Sequence, residues 1–228
     1  MLIIRLKHLV QRFLGKFLNV PIIFESEIKG FSLQRSQRMN FNASSKVKYG
    51  SPYSFRNVEI GDFTYVAANS TISNTKIGKF CSIGPNFFCG AGIHPVNGIS
   101  TSPTFYSTTG QNGTILATEN KIIEEKEILI GNDVFIGVNV TILDDIKIGN
   151  GAIIGAGSIV TKDIPAYAVA VGVPAKVVKY RFEDDVIEKL QALQWWNFAE
   201  EQLKDVEKYF FDVQGFLKKN NLSPNREL

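Results

Sequence analysis

An aliphatic residue that returns every six positions limits this fold more than any other feature. The register starts with "IGDFTY" at 60 and "VAANST" at 66, continues through "ISNTK" at 72, one residue short, and then "IGKFCS", "IGPNFF" and "CGAGIH" from 77 to 94. It resumes at 130 with "IGNDVF", "IGVNVT", "ILDDIK", "IGNGAI", "IGAGSI" and "VTKDIP". Twelve units share a small or aliphatic first residue, and eight carry Gly second. This period matches neither 3.6 nor 2, so neither an amphipathic helix nor an alternating strand accounts for it. A chain that runs straight briefly, turns a corner and runs straight again does. The first residue then points into a prism. The fifth (Thr64, Ser70, Cys81, Val134, Val140, Ala152, Ser158) is small or β-branched, as a narrow interior requires. Gly, Asn and Asp gather where corners need unusual backbone angles. Three units close one triangular coil, and stacked coils bury a continuous core. Cys81 and Cys89 fall at inward positions and read as core.

The repeat breaks after "CGAGIH" for about 35 residues, at one of only two histidines among 228 residues. The excursion from 95 to 127 is too long for a corner, and long loops in compact domains tend to be functional. It is rich in hydroxyls, from Ser100, Thr101 and Ser102 through Thr104 and Tyr106 to Ser107, Thr108 and Thr109, which suits a polyhydroxylated acceptor. His94 stands where coil gives way to loop, between the small Gly90–Gly92 stretch and Pro95. Imidazole, with a reference pKa near 6.5, is available as a neutral base at cytosolic pH and suits removal of a proton from an attacking hydroxyl or amine. The chain has no G-x-S-x-G element, and neither cysteine has a histidine two or three residues away, so a base acting directly on the attacking group is favoured over a covalent intermediate.

Composition excludes several classes. The net charge of +3 with no long Lys/Arg run argues against nucleic acid. Two histidines, one of them the N-terminal His8, do not supply a three-histidine zinc site, so no metal is expected. Two cysteines suit a reducing cytosol. Ile3, Leu6, Leu9, Val10, Phe13, Leu14 and Phe17 follow helical spacing, but Arg5, Lys7, Arg12 and Lys16 interrupt them too often for a membrane span. A helix packed on its own protein is expected there, with peripheral membrane contact through residues 1–20 as the alternative.

The hexads, "HPVNGISTSPTFYS", the segment from "IGNDVF" to "VPAKVVKYRF" and the tail "EDDVIEKLQALQWWNF" resemble the hexapeptide-repeat acyltransferases. The match is closest to the subgroup of xenobiotic (chloramphenicol/streptogramin) acetyltransferases and O-acetyltransferases of capsule and lipopolysaccharide synthesis. The resemblance covers residues 55–200 and implies a left-handed parallel β-helix, an exception to the usual right-handed crossover. It implies a homotrimer with acetyl-CoA in a groove between subunits, and His94 as general base on the acceptor; with the reducing compartment read from the cysteines, the expected location is cytoplasmic. Carried over residue by residue, it gives the cofactor to Ala156 and Ser158, to Thr161 and Lys162, and to Pro174, Ala175 and Lys176. Arg181 joins the lysines as a basic set for the phosphates of CoA. Tyr106 and Phe135 are expected at the acceptor. Phe135 stands where the subgroup commonly has Trp, so the aromatic wall stays and the indole N–H is lost. The partner that orients His94 is open between Glu119, Glu124, Glu125, Asp133 and a backbone carbonyl.

The expected organisation is an N-terminal helix and cap over 1–50, a β-helix over 51–181 with the excursion 95–127, and a helical segment over 182–228. Phe182, Val186, Leu190 and Leu193 share one helical face, and Asn197 with Glu200 has capping-box spacing for a second helix running through Phe210. Trp195 and Trp196 are expected to pack between the two helices, which would cap the open end of the solenoid. The leading expectation for function is an O-acetyltransferase acting on a surface-polysaccharide sugar or its precursor. An antibiotic acetyltransferase, an amino-sugar N-acetyltransferase and a non-catalytic scaffold are the alternatives.

Overall fold

The computed structural model describes residues 22–23, 32–33 and 36–220. The expected N-terminal helix lies outside these residues; Ile22–Ile23 pairs antiparallel with Ser32–Leu33. The body is a left-handed parallel β-helix whose three faces stack the first hexad residues in column. The first face aligns Ile60, Ile77, Ile130, Ile148 and Ile164. The second aligns Tyr49, Val66, Ile83, Ile136, Ile154 and Ala170. The third aligns Phe55, Ile72, Cys89, Ile142 and Val160. Nearly all of these side chains belong to one buried core, joined by fifth-position residues such as Cys81, Val134, Val140 and Ala152.

The glycines of the repeat serve a different purpose from the one their composition suggests. Positive φ at the corners is carried largely by Asn and aromatic residues: Phe63 and Phe80 at one, Asn69, Asn86 and Asn139 at the next, Asn57 and Asn74 at the third. The second-position glycines answer to coil-on-coil approach. A Cβ on Gly137 would stand 2.6 Å from the Ala156 amide nitrogen of the next coil. Stacked backbones at about 4.8 Å leave no room for it.

The solenoid begins earlier than residue 51. Gln37–Ala43 and Lys48–Tyr49 pair in parallel register with Tyr53–Ile60 and Tyr65–Val66. Val47 is buried in this first coil, with Phe41 and Tyr49 packed against the core, so aromatic bulk replaces the Ile-Gly signature. At the other end, Lys176–Tyr180 folds back antiparallel on Ala168–Val171 and covers the last edge.

The helices therefore do not cap the end; they lie along the corner between the first and second faces. They are α1 (Asp184–Leu193), α2 (Glu200–Lys208) and α3 (Val213–Lys219). The corner aromatics leave an apolar strip that they cover: Trp195 packs 5.1 Å from Phe80, while Tyr167, Val186, Leu190, Phe216 and Leu217 form a second core. Polar ties run along the same strip, from Lys46 to Glu200, Lys79 to Asn197 and Asn150 to Gln191. The expected face of α1 is the buried one, and both tryptophans pack where the chain passes from α1 to α2. Asn197 does not cap α2. Ala199 holds the N-cap position, with its N–H donating to the Gln202 Oε1 at 3.1 Å, and Asn197 accepts from Lys79 instead. The second helix stops at Lys208, and α3 follows after Asp212, whose carboxylate accepts from the Gly215 N–H.

Candidate active site

The third face ends at Cys89, and the excursion leaves from the corner where it would pass into the first face of the next coil. One side chain clasps the base of this excursion. Asp144 accepts the Gly92 N–H on the outgoing limb at 2.8 Å and the Lys126 N–H on the returning limb at 3.2 Å. The limbs also join directly, Ile93 N–H to the Glu124 carbonyl at 2.7 Å. The returning limb is pinned again by Glu125, which accepts two bonds from Arg56 at 2.8 and 2.6 Å and one from Asn74. These bonds, led by Arg56, hold the Glu125 carboxyl below the usual carboxylate range. Asn74 is the last rung of a ladder through Asn57 to Asn40.

His94 follows directly after Ile93 and is exposed. Its Nδ1 lies 3.0 Å from the Thr101 carbonyl and 2.7 Å from the Tyr106 Oη. The Thr101 carbonyl can only accept and so favours the tautomer with the proton on Nδ1 and the lone pair on Nε2, whereas the closer Tyr106 hydroxyl can serve either tautomer. None of the four acids considered from the sequence meets the histidine. Glu124 accepts from Gln111, Glu125 from Arg56 and Asn74, Asp133 from Arg181, and Glu119 makes no bond to the ring. The ring is held instead by the backbone carbonyl of Thr101 and the Tyr106 hydroxyl.

Tyr106 was expected at the acceptor. Only 4% exposed, it packs edge-on behind the imidazole with its hydroxyl on Nδ1. Burial raises its phenol pKa above the ordinary value, with Glu124 adding to the effect. The loop's hydroxyls are spent inward to a similar degree. Thr104 and Ser107 are buried, Ser102 and Asn112 donate to the Thr104 Oγ1, and Thr108 donates to Asn120.

The residues assigned to the cofactor separate into two groups. Ala156 is exposed on the corner between the second and third faces, and its N–H has no partner among the described residues. Gly172 stacks at the same corner, and Pro174 and Lys176 are exposed just beyond it, while the half-buried Ala175 donates its N–H to the Ile159 carbonyl. Thr161 and Lys162 are exposed at the far side of the third face, on the corner that carries Asp144 and the base of the excursion. Lys162, Lys176 and Lys179 form no ion pair among the described residues.

Ser158 and Arg181 do not fit the assignment. As a fifth-position residue Ser158 points into the prism, and its Oγ accepts the Gly172 N–H at 3.0 Å. Its own N–H and carbonyl are taken by Gly155 and Thr141. Arg181 sits on the helix-covered corner, donating through Nη1 to Asp133 at 2.9 Å and the Gly151 carbonyl at 2.8 Å, with its guanidinium over the rings of Tyr167 and Phe182. Phe135 stands outward on the second face between Ser82 and Ile153, one corner removed from the third face, and makes no ring contact with His94.

Cys81 and Cys89 are fully buried, free thiols, and burial pushes both pKa values to about 12. Neither is a nucleophile in the folded state. A disulfide-exchange reagent at pH 8 is therefore expected to modify neither thiol in the native protein and both in denaturant. Fast modification of the native protein would contradict this. Among the described residues no cluster of His, Cys, Asp or Glu could hold a metal ion, and no helix is long and apolar enough to cross a membrane.

Asp144 was not singled out in the sequence. Its only signal is local: "ILDDIK" carries Leu-Asp-Asp where neighbouring units carry Gly and Asn. The role of Thr101 has no side-chain signal at all.

Residues 127–162 match the family model described as bacterial transferase hexapeptide (six repeats). The chloramphenicol acetyltransferase of Agrobacterium fabrum is 33% identical over 184 residues, covering 79% of this chain and 87% of that protein. A probable macrolide acetyltransferase of Lysinibacillus sphaericus is 41% identical over 131 residues, or 57% of this chain and 72% of that protein. The crystal structure of a maltose O-acetyltransferase from Clostridium difficile superposes with a TM-score of 0.50 at 26% identity, over 63% of this chain and 71% of that one. A hexad core that stacks as read, joined to similarity along most of a relative's length, makes this chain a member of the hexapeptide-repeat acetyltransferases.

Proposed function

We propose that the enzyme transfers acetyl from acetyl-CoA directly to a hydroxyl of a carbohydrate, a surface-polysaccharide sugar or its precursor, with His94 as general base. The observation that carries the base is the pairing of the exposed His94, through Nδ1, with the Thr101 carbonyl, which favours the tautomer whose Nε2 lone pair can take a proton. As the acceptor oxygen attacks the thioester carbonyl, its proton passes to Nε2. The tetrahedral adduct then collapses, the C–S bond breaks, and the departing CoA sulfur takes that proton. No acyl-enzyme is needed. The imidazolium formed midway keeps its Nδ1–H on the Thr101 carbonyl.

CoA would lie along the third face. The free N–H of Ala156 and the exposed Pro174 would flank the pantetheine arm at one corner, with Thr161 and Lys162 at the other and Lys176 near the phosphates. A carbohydrate acceptor is supported by a polar cleft of about 510 Å³ lined by Asn40, Asn57, Glu59, Asn74, Lys76, Glu125 and Glu127. Glu125, which lines it, directly follows Glu124, the residue bonded to Ile93 beside His94. Amides and paired charges suit a ligand that offers many hydroxyls. We further propose a cytoplasmic homotrimer, supported by the exposed Tyr65, Phe135 and Phe88 on the second and third faces, so that Phe135 reaches a neighbour's His94. The relatives named for chloramphenicol and macrolides favour a second reading, an antibiotic acceptor.

An acceptor screen tests both readings. Thiol release from acetyl-CoA would be followed with oligosaccharides, sugar nucleotides, amino sugars and chloramphenicol. Saturable release with a saccharide hydroxyl is expected. Release only with chloramphenicol, or only with amino sugars, would reject the carbohydrate O-acetylation reading.

A replacement of Tyr106 by Phe removes one of two contacts on Nδ1 and keeps the ring. Loss of one hydrogen bond to a group that becomes charged is worth about 1.5 kcal/mol, so kcat is expected to fall about tenfold with KM unchanged. An unchanged kcat would show that Thr101 alone orients the base.

A further inference from the structure

The helix-covered corner between the first and second faces carries a second concavity. It has a volume of about 400 Å³ and lies between the solenoid and α1, α2 and α3, with Phe182, Leu190, Trp195, Val213 and Phe216 in its walls. Tyr167 and the Asp133–Arg181 pair also line it. We propose that this cavity is a second binding site, for a flat, largely apolar small molecule that carries a neutral carbonyl oxygen.

Three features fix that chemistry. The walls are aromatic and aliphatic, in the size range of small-molecule sites. The Tyr167 hydroxyl is buried and has no hydrogen-bond partner among the described residues; the Trp195 indole lies nearby without meeting hydrogen-bond geometry. Such orphan groups are rare in folded proteins, and a partner outside the chain is one way to resolve them. Burial holds the phenol pKa near 12, so the group is a neutral donor in search of an acceptor. Arg181 spends only Nη1, on Asp133 and Gly151, and its Nε and Nη2 hydrogens meet no acceptor among the described residues. The polar groups left open are therefore donors. Asp133 already neutralises Arg181 and would repel a carboxylate, so a neutral carbonyl is the fitting ligand group. At the rim, Phe210 and Phe211 are 69% and 95% exposed, an apolar mouth that an entering molecule would cover.

The probe is 6-propionyl-2-(dimethylamino)naphthalene, a flat aromatic ketone whose emission reports polarity. It is expected to bind once per chain, with energy transfer from tryptophan. Trp195→Phe keeps an aromatic wall and should reduce that transfer by more than half. Tyr167→Phe is expected to weaken the ketone about tenfold and to leave 2-(dimethylamino)naphthalene, which lacks the carbonyl, unchanged. Val213→Trp fills the cavity and should abolish both, with circular dichroism confirming the fold. Non-saturable binding, full transfer in Trp195→Phe, or equal binding of both dyes to wild type and Tyr167→Phe would overturn the proposal.

Discussion

Replacement of His94 by Ala is expected to lower kcat by about 100-fold or more while acetyl-CoA affinity and thermal stability stay at wild-type values. The separation follows from where the side chain sits. His94 is exposed and packs into no core cluster; its ring contacts run through Nδ1 to Thr101 and Tyr106. Removing it leaves the Asp144 clasp, the Glu125 anchor and the buried columns in place, so the scaffold has no reason to move. What disappears is the only imidazole among the described residues. The buried thiols offer no substitute nucleophile, so no acyl-enzyme route rescues turnover. Thiol release measured at saturating acceptor is the direct check. Wild-type turnover in the variant would remove His94 from the chemistry and revive a non-catalytic reading.

The hexad made the core legible because each inward position repeats a physical demand: an aliphatic at Ile136 or Ile154, a small residue at Ala152. That demand is local and leaves its mark in composition. The first coil was missed because Phe41, Val47 and Tyr49 meet the same demand without the Ile-Gly pattern. Ser158 was misplaced for the opposite reason. A serine in a turn looks available to a ligand, yet its parity in the hexad already pointed it inward. His94 stands out in the sequence as the candidate base by rarity and by position at the break. Its orienting partner does not, because a backbone carbonyl seven residues away depends on how the loop folds back. Arg181 shows the same limit: a cation near the end of a predicted cofactor track reads as a phosphate ligand until Asp133 and Gly151 are seen to hold it.

Asp144→Ala is expected to cost about 10- to 100-fold in kcat with little change in melting temperature. Asp144 accepts from Gly92 and Lys126, one N–H on each limb, and so sets the width of the gate from which His94 projects. Hydrogen bonds to a charged acceptor contribute about 1.5–3 kcal/mol each, but here they order a loop base that adds little to the buried columns. Their loss should therefore appear as imprecision at the base rather than as unfolding. A shift of about 1 Å in a catalytic group is enough to cost about 100-fold. The Ile93–Glu124 bond and the Arg56–Glu125 pair remain in the variant, which bounds the loss below that of removing the imidazole. Asp144→Asn keeps one acceptor oxygen and should recover part of kcat. A purely structural role predicts the reverse pattern: a fall in melting temperature with turnover per folded molecule unchanged. Proteolysis at the excursion gives an independent reading, since a loosened base should expose residues 95–127 to cleavage while the coils on either side stay resistant.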